Sequence, residues 1–593
     1  MSNFEITWGG IDWGKTQDRV RKIQCKIYNA KLKGNSKLVH AYQKLLISRL
    51  DAKLLAVRQV TVLNKGRNTP GVDKLVVSTP EQRLELAKRL SLDGNSQPIR
   101  RVWIPKPGKT ELRPLGIPVI EDRAKQALAK FALEPEWEAV FEPNSYGFRP
   151  GRSCHDAVEA IFLALHHHPP KWVYDADIRK CFDRIDHESL LGKLKTFPLM
   201  ERQVRAWLKS GVMEGYANSP KSHLEYSSEG TPQGGVISPL LANIALHGLE
   251  SHLKSYVGDL PLKPHPGANR GRVAKVKALS VIRYADDFVL IHRNKDILDL
   301  CIRETKLWLS GVGLEISEEK SSVRDVRNGF LFLGFQFIMV HKPIVKKWKV
   351  KIIPSPASQA RFLKRIREII QRNKAVSSYN LILMLRPVIV GWGNYFKYCE
   401  CKQVFHKLTD LIFRKIRAWV FRRDPRNGRL YVKEKYFPQG KVYMFYGKKH
   451  SDNWVLNGSQ KMKDGKLKTN FLPHIVWIPS MKHVKVLGGE SPYSFSHYWA
   501  LRSVKHSPYP LRVRELLVRQ NNCCPICKRE FNILDSSTWQ VDHIQPRWAG
   551  GPDAYDNLQL LHRECHERKT VEDRQNYKPK QVKPLKAKGK LKK

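Results

Sequence analysis

The sequence predicts an α+β protein of several domains, and three observations support that prediction. The chain has 593 residues, more than one hydrophobic core usually supports, so roughly three to five domains are expected. Two β-rich runs flank an acidic turn at residues 284–287, whereas apolar residues within 355–427 recur at the three-to-four spacing of helices. Cysteine and histidine pairs near the C-terminal end indicate a small metal-stapled module.

The acidic turn has the sequence YADD, with Asp286 and Asp287 between the apolar runs 279–283 and 288–291. This pattern predicts two strands joined by a tight turn. Carboxylates at such a turn can bind Mg²⁺, although Asp-Asp is also an ordinary turn sequence. In-line attack on phosphorus with two metal ions about 3.5 to 4 Å apart needs further carboxylates from a second strand.

The second strand is predicted at residues 172–178, WVYDADI, and a helix is predicted to begin near residue 179. Asp175 and Asp177 share one face of this strand because side chains alternate with a period of two. Asp183 has an ordinary interpretation as a helix-start or ion-pair residue. The residues alone therefore do not choose among the three carboxylates.

Three motifs in a fixed order carry a resemblance to a known family. They are DIRKCFD at 177–183, TPQGGVISPLL at 231–241 and YADD at 284–287. In this order they resemble the group II intron-encoded reverse transcriptases, also called maturases. The resemblance implies a right-hand-like fold of fingers and palm in which Asp177 and Asp286 bind two Mg²⁺ ions with support from Asp287. It also implies that Phe182 stacks under the incoming sugar and excludes a ribose 2′-OH, so the substrates are deoxynucleoside triphosphates.

The fingers are expected where RVWIPKPG at 101–108 leads through a turn to RPLGIP at 113–118. This segment is predicted to form a β-hairpin that carries Lys106 and Arg113. By resemblance both side chains grip the triphosphate. The alternative for any Lys or Arg in so basic a chain is a solvated side chain.

Two later motifs extend the resemblance. Gln233 resembles the residue that lines the nucleotide pocket, and Gly234 and Gly235 let the backbone approach the substrate closely. A plain structural turn is the rival interpretation of these glycines. Lys320, at the end of GLEISEEK, is expected to reach the leaving phosphate.

The amino-acid composition of the chain indicates a polyanionic binding partner. The 105 Lys and Arg residues exceed the 55 Asp and Glu residues, which gives a formal charge of +50. Such a charge supplies sequence-independent, salt-sensitive contacts with phosphates. No run approaches the ~18 apolar residues of a membrane span, and no signal sequence precedes the motifs. We expect a soluble, nucleic-acid-associated protein of a bacterial cytoplasm or an organelle, and the sequence does not choose between monomer and dimer. An anionic membrane is the weaker alternative partner.

The motifs divide the chain into five predicted parts. These are fingers and palm with an N-terminal extension (1–340), a helical segment that resembles the family's thumb or X domain (341–427), a region that resembles its small DNA-binding region (428–510), a C-terminal module (511–575) and a disordered basic tail (576–593). In the thumb, the apolar residues between 408 and 420 are predicted to form one helix face. Arg414, Lys415 and Arg417 lie away from that face and are candidate RNA contacts, with a solvated helix as the alternative.

The C-terminal module carries a second ordered pattern. It consists of CPIC at 524–527, VDHI at 541–544, NLQLLH at 557–562 and CHERKT at 565–570. It resembles a zinc-stapled ββα HNH nuclease. The spacing offers four ligands of the types that tetrahedral Zn²⁺ takes, and these are assigned to Cys524, Cys527, His562 and Cys565. Cys523 and His566 are the neighbouring alternatives.

In the HNH pattern, His543 activates water as general base and Asn557 orients the site. Asp542 and His566 hold one Mg²⁺ or Mn²⁺ at the scissile phosphate, where the metal stabilises the leaving oxygen. A zinc-stapled nucleic-acid binder without cleavage is the alternative.

Together these parts imply a multifunctional protein. It binds a group II intron RNA, assists splicing, cleaves a strand of a double-stranded DNA target and copies the RNA into DNA from the new end. Two alternatives stay open. One is a maturase that acts only as an RNA-binding splicing cofactor, and the other is a reverse transcriptase of a different bacterial retroelement.

Overall fold

The computed structural model describes residues 7–577, apart from 106–110, 217–223, 227–228, 232–233, 270, 346, 462–464, 466, 495–497, 500 and 503–508. Lys106, Gln233 and the predicted tail from residue 578 lie outside the described residues. Among the helices of the described part, none combines the length and the apolar composition needed to cross a bilayer.

The strands in chain order are β1 (Ile99–Pro105), β2 (Leu112–Ile117), β3 (Trp172–Asp177), β4 (Val212–Glu214), β5 (Leu224–Glu225), β6 (Ser280–Tyr284), β7 (Asp287–His292), β8 (Ser322–Asp325), β9 (Phe330–Phe332), β10 (Phe335–Lys342), β11 (Lys347–Pro354), β12 (Val442–Phe445), β13 (Lys448–Ser451), β14 (Asn457–Lys461), β15 (Leu467–Phe471), β16 (Trp539–His543) and β17 (Leu558–His562).

The α-helices are α1 (Trp13–Leu32), α2 (Ser36–Ser48), α3 (Leu50–Arg58), α4 (Pro80–Arg89), α5 (Ile120–Glu138), α6 (Cys154–Leu165), α7 (Cys181–Arg184), α8 (His187–Leu194), α9 (Pro198–Leu208), α10 (Ser238–Ala245), α11 (Leu249–Asp259), α12 (Arg272–Ala278), α13 (Lys295–Ser310), α14 (Pro356–Arg372), α15 (Ser378–Phe396), α16 (Lys402–Arg423), α17 (Arg429–Tyr436), α18 (Leu511–Arg519) and α19 (Arg563–Asn576).

The central sheet has the strand order β6-β7-β3-β8, and its neighbouring strands are antiparallel. Because side chains alternate along a strand, the two faces of β3 enter different cores. Tyr174 and Ala176 pack into one hydrophobic core, whereas Val173 packs into another. Asp175 and Asp177 therefore have the parity of Val173.

The first core joins the N-terminal helices to the central sheet. Helix α5 runs through it, and Ala124, Ala127, Ala129 and Ala132 are fully buried there. Their small side chains let α1, α2 and α3 approach α5 closely. A second sheet, of order β2-β1-β4-β5, lies beside this core, and its β1–β2 hairpin pairs Ile104 with Arg113.

The second core joins the central sheet to the helices α14, α15 and α16. The apolar face predicted for residues 408–420 is the buried face of α16, which includes Leu408, Ile412 and Val420. The same core continues through the hairpins β12–β13 and β14–β15 as far as Ile478. Aromatic residues in that region also pack within the protein, as when Trp477 stacks on His450 at 4.4 Å between ring centroids.

The C-terminal module is a β16–β17 hairpin followed by α19, with a small core of its own. It lies against the N-terminal helices. Glu564 of α19 accepts a 2.5 Å hydrogen bond from Arg58 of α3, whose side chain is only 4% exposed. The Arg58 guanidinium also lies 4.5 Å from the centroid of the Trp13 ring, and Asp535 pairs with Arg21 of α1. Two regions at opposite ends of the sequence therefore share a charged interface.

Candidate active sites

The acidic turn joins two neighbouring strands of the central sheet. Strands β6 and β7 pair antiparallel with Tyr284 opposite Asp287, and Ala285 takes a left-handed conformation with φ of 59°. Strand β3 then pairs with β7 so that Asp177 lies opposite Asp287, where Cα atoms are about 4.5 to 5.5 Å apart. The Ile178 amide donates to the Asp286 carbonyl at 3.3 Å. The structure thus brings Asp177, Asp286 and Asp287 to one end of the sheet.

A buried arginine supports this turn from behind. Arg283 is 3% exposed, and its guanidinium donates to the Ala285 carbonyl at 3.2 Å and to Asn243 Oδ1 at 3.1 Å. Asn243 in turn donates to the Gly147 carbonyl at 2.8 Å. A Cβ added at Gly147 would lie 2.3 Å from the Ala285 nitrogen, so the turn sits directly on this glycine.

Sequence reasoning assigned no role to these supporting residues. One signal was available, since Arg283 is a charged residue within the apolar run 279–283. A charge in a buried strand is rare unless it is paired. Nothing near Gly147 or Asn243 in the sequence marks them as neighbours of the turn, because the contacts are between distant segments.

Burial and neighbouring carboxylates raise the pKa values of Asp286 and Asp287. Burial, together with the charges of Asp286 and Asp177, raises the pKa of Asp287 to about 7. Burial and Asp177 also raise the pKa of Asp286, against the opposing charges of Arg113 and Lys320. A divalent cation bound by these carboxylates would offset both the repulsion and the desolvation.

Asp175, the alternative on the same strand, is a close neighbour of this cluster. Burial and Asp177 raise its pKa to about 7, although Arg324 acts in the opposite direction. Its position in β3 is opposite Val289 and Ser322, one pleat farther from the turn than Asp177. Asp175 therefore contributes charge to the cluster from its far side.

Lys320 was expected at a leaving phosphate, and here it contacts a carboxylate. Its ammonium group donates to Asp177 Oδ1 at 2.9 Å. The backbone of Asp177 is held by the same segment, because the Ser317 amide donates to its carbonyl at 2.9 Å and its amide donates to Ser321 Oγ at 3.2 Å.

Two of the predicted nucleotide contacts are described. Phe182 is half-buried and meets Phe148 edge to face, with 6.1 Å between the ring centroids. Arg113 is exposed on β2, and its charge lowers the pKa of Asp286 against the effect of burial. In the glycine turn, a Cβ at Gly234 would lie 2.3 Å from the Gly116 carbonyl oxygen. The close approach at Gly234 is therefore to β2.

The second candidate site lies on the β16–β17 hairpin. Asp542 accepts from Gln559 Nε2 at 3.0 Å, and its carboxylate lies 3.6 Å from His566 Nε2 on α19. His543 follows on the same strand, with Nε2 3.2 Å from Asp553 Oδ1. Asp553 was missed by the sequence reasoning because it lies in the loop between the recognised motifs.

Asn557 closes that loop. Its side-chain nitrogen donates to the carbonyls of Gln545 and Pro552 at 3.0 and 2.8 Å, and its side-chain oxygen accepts from the Gln545 amide at 2.8 Å. These bonds use the side chain for backbone contacts within the loop. Asn557 therefore fixes the backbone of the segment that follows His543.

The four predicted knuckle residues lie together. The ligand atoms of Cys524, Cys527, His562 and Cys565 are all within 4.8 Å of one another. Cys527 Sγ is 3.4 Å from His562 Nδ1, and hydrogen bonding to Cys565 lowers the pKa of Cys524. Three thiols and one imidazole in such a cluster suit a tetrahedral metal ion. Cys523 is not a member of this group.

Family comparisons match four segments of the chain. Residues 8–90 match the N-terminal domain of reverse transcriptase, and residues 104–337 match Reverse transcriptase (RNA-dependent DNA polymerase). Residues 359–437 match the family described as "Group II intron, maturase-specific domain", and residues 524–572 match the family described as "HNH endonuclease".

Individual relatives agree with these matches. Protein YkfC of Escherichia coli is 34% identical over 308 residues, which cover 48% of this chain and 80% of YkfC. Group II intron-encoded protein LtrA of Lactococcus lactis is 30% identical over 335 residues, which cover 48% of this chain and 54% of LtrA. The chain belongs to the group II intron-encoded reverse transcriptases. The aligned part spans about half the length of LtrA.

A less similar relative aligns with a larger share of this intron-encoded reverse transcriptase. Maturase-like protein 1 of Euglena longa is 25% identical over 428 residues, which cover 70% of this chain and 83% of that protein. The three acids of the central sheet fall within the reverse transcriptase match, and His543, Asn557 and the knuckle residues fall within the HNH match.

In this intron-encoded reverse transcriptase, α16 lies inside the maturase-specific match. Arg414 is exposed and pairs with Asp410 at 2.9 Å, while Arg417 lies 5.5 Å from the Phe421 ring centroid. Both arginines line a groove of about 600 Å³. Lys415 is half-buried and does not line it.

Proposed function

We propose that the carboxylate cluster polymerises DNA on an RNA template. The observation that supports this most directly is the strand register, which sets Asp177 opposite Asp287 with Asp286 at the adjoining turn. Two bound Mg²⁺ ions would activate the primer 3′-hydroxyl and stabilise the leaving oxygens. Asp177 and Asp286 bind the metals, and Asp287 supports them from the facing strand.

In this proposal the central sheet is the palm, the β1–β2 hairpin belongs to the fingers, and α14–α16 form the thumb. Arg113 and Lys106 bind the triphosphate from the fingers. Phe182 stacks under the sugar and selects deoxynucleotides, with Gln233 lining the pocket. The exposure of Arg113 and its charge interaction with Asp286 support its placement at the triphosphate.

The HNH module is proposed to cleave one strand of a double-stranded DNA target. His543 takes the proton from water, and its contact with Asp553 orients the imidazole for that transfer. Asp542 and His566 hold one Mg²⁺ or Mn²⁺ at the phosphate, and Asn557 fixes the loop. Zn²⁺ bound by Cys524, Cys527, His562 and Cys565 would stabilise the fold of this module.

Joined in one chain, these parts support an intron-mobility function. The protein binds its group II intron RNA, partly through Arg414, Lys415 and Arg417, and assists splicing. The nuclease cut supplies a 3′-hydroxyl, from which the polymerase copies the RNA. A splicing cofactor without catalysis is the second candidate, but the complete acid set at the palm favours an active enzyme.

The first test is primer extension on an RNA template with Mg²⁺ and deoxynucleotides. The double variant Asp286→Asn, Asp287→Asn should lose synthesis by on the order of 1,000-fold, because it removes metal-binding charge that the transition state needs. RNA binding should persist. Asp259→Asn, an exposed acid on α11, is the matched control and should copy normally. Full synthesis by the double variant would refute the polymerase site.

The nuclease is tested separately on end-labelled duplex DNA that carries the intron insertion site. His543→Ala should abolish strand cleavage by the ribonucleoprotein and leave primer extension unchanged. His252→Ala, at an exposed histidine on α11, is the matched control. Undiminished cutting by His543→Ala would exclude this general base.

A further inference from the structure

A cavity of about 590 Å³ lies at the end of the central sheet opposite the carboxylates. We call it the rear cavity. It is lined by part of α6, by residues 168–171, by residues between 264 and 282, and by Asn144, Lys254, Arg293 and Lys485. Lys171 directly precedes β3, which Asp177 ends, and six residues of strand span about 20 Å. The rear cavity is therefore separate from the polymerase site.

The rear cavity concentrates positive charge. Lys171, Lys254, Lys277, Arg293 and Lys485 line it, and none of its lining residues is acidic. Burial and Arg293 lower the pKa of Lys171 to about 8, so the ammonium group is crowded by like charge. Lys254 has a partner in Glu250, at 2.6 Å. A phosphate group in the cavity would relieve the repulsion between Lys171 and Arg293.

Its remaining walls are suited to a nucleobase. His168 and His265 offer imidazole rings, and Pro169, Pro264 and Leu279 offer apolar surface. The volume lies in the range of about 300 to 1,000 Å³ that is typical of small-ligand sites. A nucleotide has a charged phosphate and a flat base, so it matches a cation cluster beside flat and apolar walls.

We propose that the rear cavity binds one unpaired nucleotide of the RNA that the protein holds, an inference that rests on the RNA binding proposed above. The phosphate lies against Lys277 and Arg293, and the base packs between His265 and the apolar wall. RNA is favoured because its loops and bulges present unstacked nucleotides that proteins stack on rings of this kind. The duplex being copied occupies the other end of the sheet.

The test uses a stem–loop RNA with 4-thiouridine in its loop, cross-linked by light to the full-length protein. Cross-links are expected in the segments 163–171 or 264–280. The charge reversal Lys277→Glu, Arg293→Glu should abolish them and weaken binding of this RNA about tenfold. It should also lower the slope of log affinity against log salt by roughly 0.7, because the contact with one phosphate is lost. Both residues are exposed, so folding should be preserved.

The matched control is Arg303→Glu, Lys306→Glu, which reverses two exposed charges on α13 outside the cavity. It should cross-link as the wild type does, and both double variants should extend a short primer normally. Wild-type protein that copies RNA but cross-links elsewhere would overturn this inference alone. Equal cross-linking by a DNA stem–loop with 4-thiothymidine would overturn the choice of RNA. Failure of the wild type to bind or copy RNA would overturn the proposed function as well.

Discussion

At the scale of single residues, the candidate polymerase site is a set of carboxylates at one end of the central sheet, whose charges act on one another. Asp177 and Asp287 are opposite one another because of strand register, and Asp286 is adjacent because the turn is tight. Partial burial of Asp286 and Asp287 reduces the screening of their charges by water. The fold therefore holds a local repulsion that a divalent cation removes.

This repulsion predicts a pH dependence of stability. The pKa of Asp287 is raised to about 7 from an ordinary value near 4, so the folded protein holds this proton more tightly than the unfolded chain does. In Mg²⁺-free buffer, stability should fall as pH rises from about 4 to about 7 and change little above that. Asp287→Asn should remove this component and melt at a higher temperature than wild type above pH 7.

Thermal melting between pH 5 and 9, with and without Mg²⁺, measures the effect. Mg²⁺ should raise the melting temperature of wild type more than that of Asp287→Asn. Asp259→Asn is again the control, because its partner Arg272 lies on the surface. A wild-type advantage over Asp287→Asn that grows with pH in the absence of Mg²⁺ would contradict the assignment.

At the scale of elements, the β6–β7 turn is positioned by a loop that belongs to another part of the chain. The segment before α6 pairs with β6, since the Tyr146 amide donates to the Arg283 carbonyl at 2.9 Å. Gly147 then passes beneath Ala285 with no room for a side chain. The position of the acidic turn is thus set by backbone contact as well as by the hairpin itself.

Gly147→Ala should displace the turn. Its Cβ would meet backbone atoms of Ala285 that cannot rotate away, so the free energy of unfolding should fall by about 1 to 3 kcal/mol. Primer extension should fall at least tenfold. Gly192→Ala is the control, because Gly192 is an open site on α8. The stability of this variant should rise by about 0.5 to 1 kcal/mol, and its DNA synthesis should be unchanged. Equal activity of both variants would show that the turn does not depend on Gly147.

The same elements show what the sequence could predict. The hairpin around YADD, the shared parity of Asp175 and Asp177, and the apolar face of α16 depend on local periodicity, and the structure contains them. The supporting residues Arg283, Asn243 and Gly147 depend on contacts between segments that are far apart in the chain. Periodicity carries no information about such contacts, so the sequence reasoning missed them.

At the scale of the whole molecule, the nuclease module is docked on the N-terminal helices through paired charges. Arg58 is buried beneath the module, and Glu564, between the knuckle residues His562 and Cys565, is its partner. Arg21 and Asp535 add a second pair. Neither partner could be inferred from sequence, because an ordinary Arg or Glu in a helix gives no sign of its long-range contact.

Glu564→Gln should weaken this docking strongly. It leaves the Arg58 cation buried with no carboxylate partner from the module, which costs about 3 kcal/mol or more. Glu567→Gln is the matched control, because Glu567 is exposed and pairs with Arg563 one turn away, where loss costs less than about 0.5 kcal/mol. Urea unfolding of the full chain measures both variants. Similar losses in the two would mean that Arg58 does not depend on Glu564.

The partners of the Arg58–Glu564 pair are also synthesised at very different times. Its partners are 506 residues apart, and at 5 to 20 residues per second the ribosome takes about 25 to 100 s to travel between them. During that interval the nascent N-terminal helices carry a cation whose counter-charge has not yet been made. The contact that covers Arg58 can therefore form only after the Cys–His knuckle around Glu564 has been synthesised.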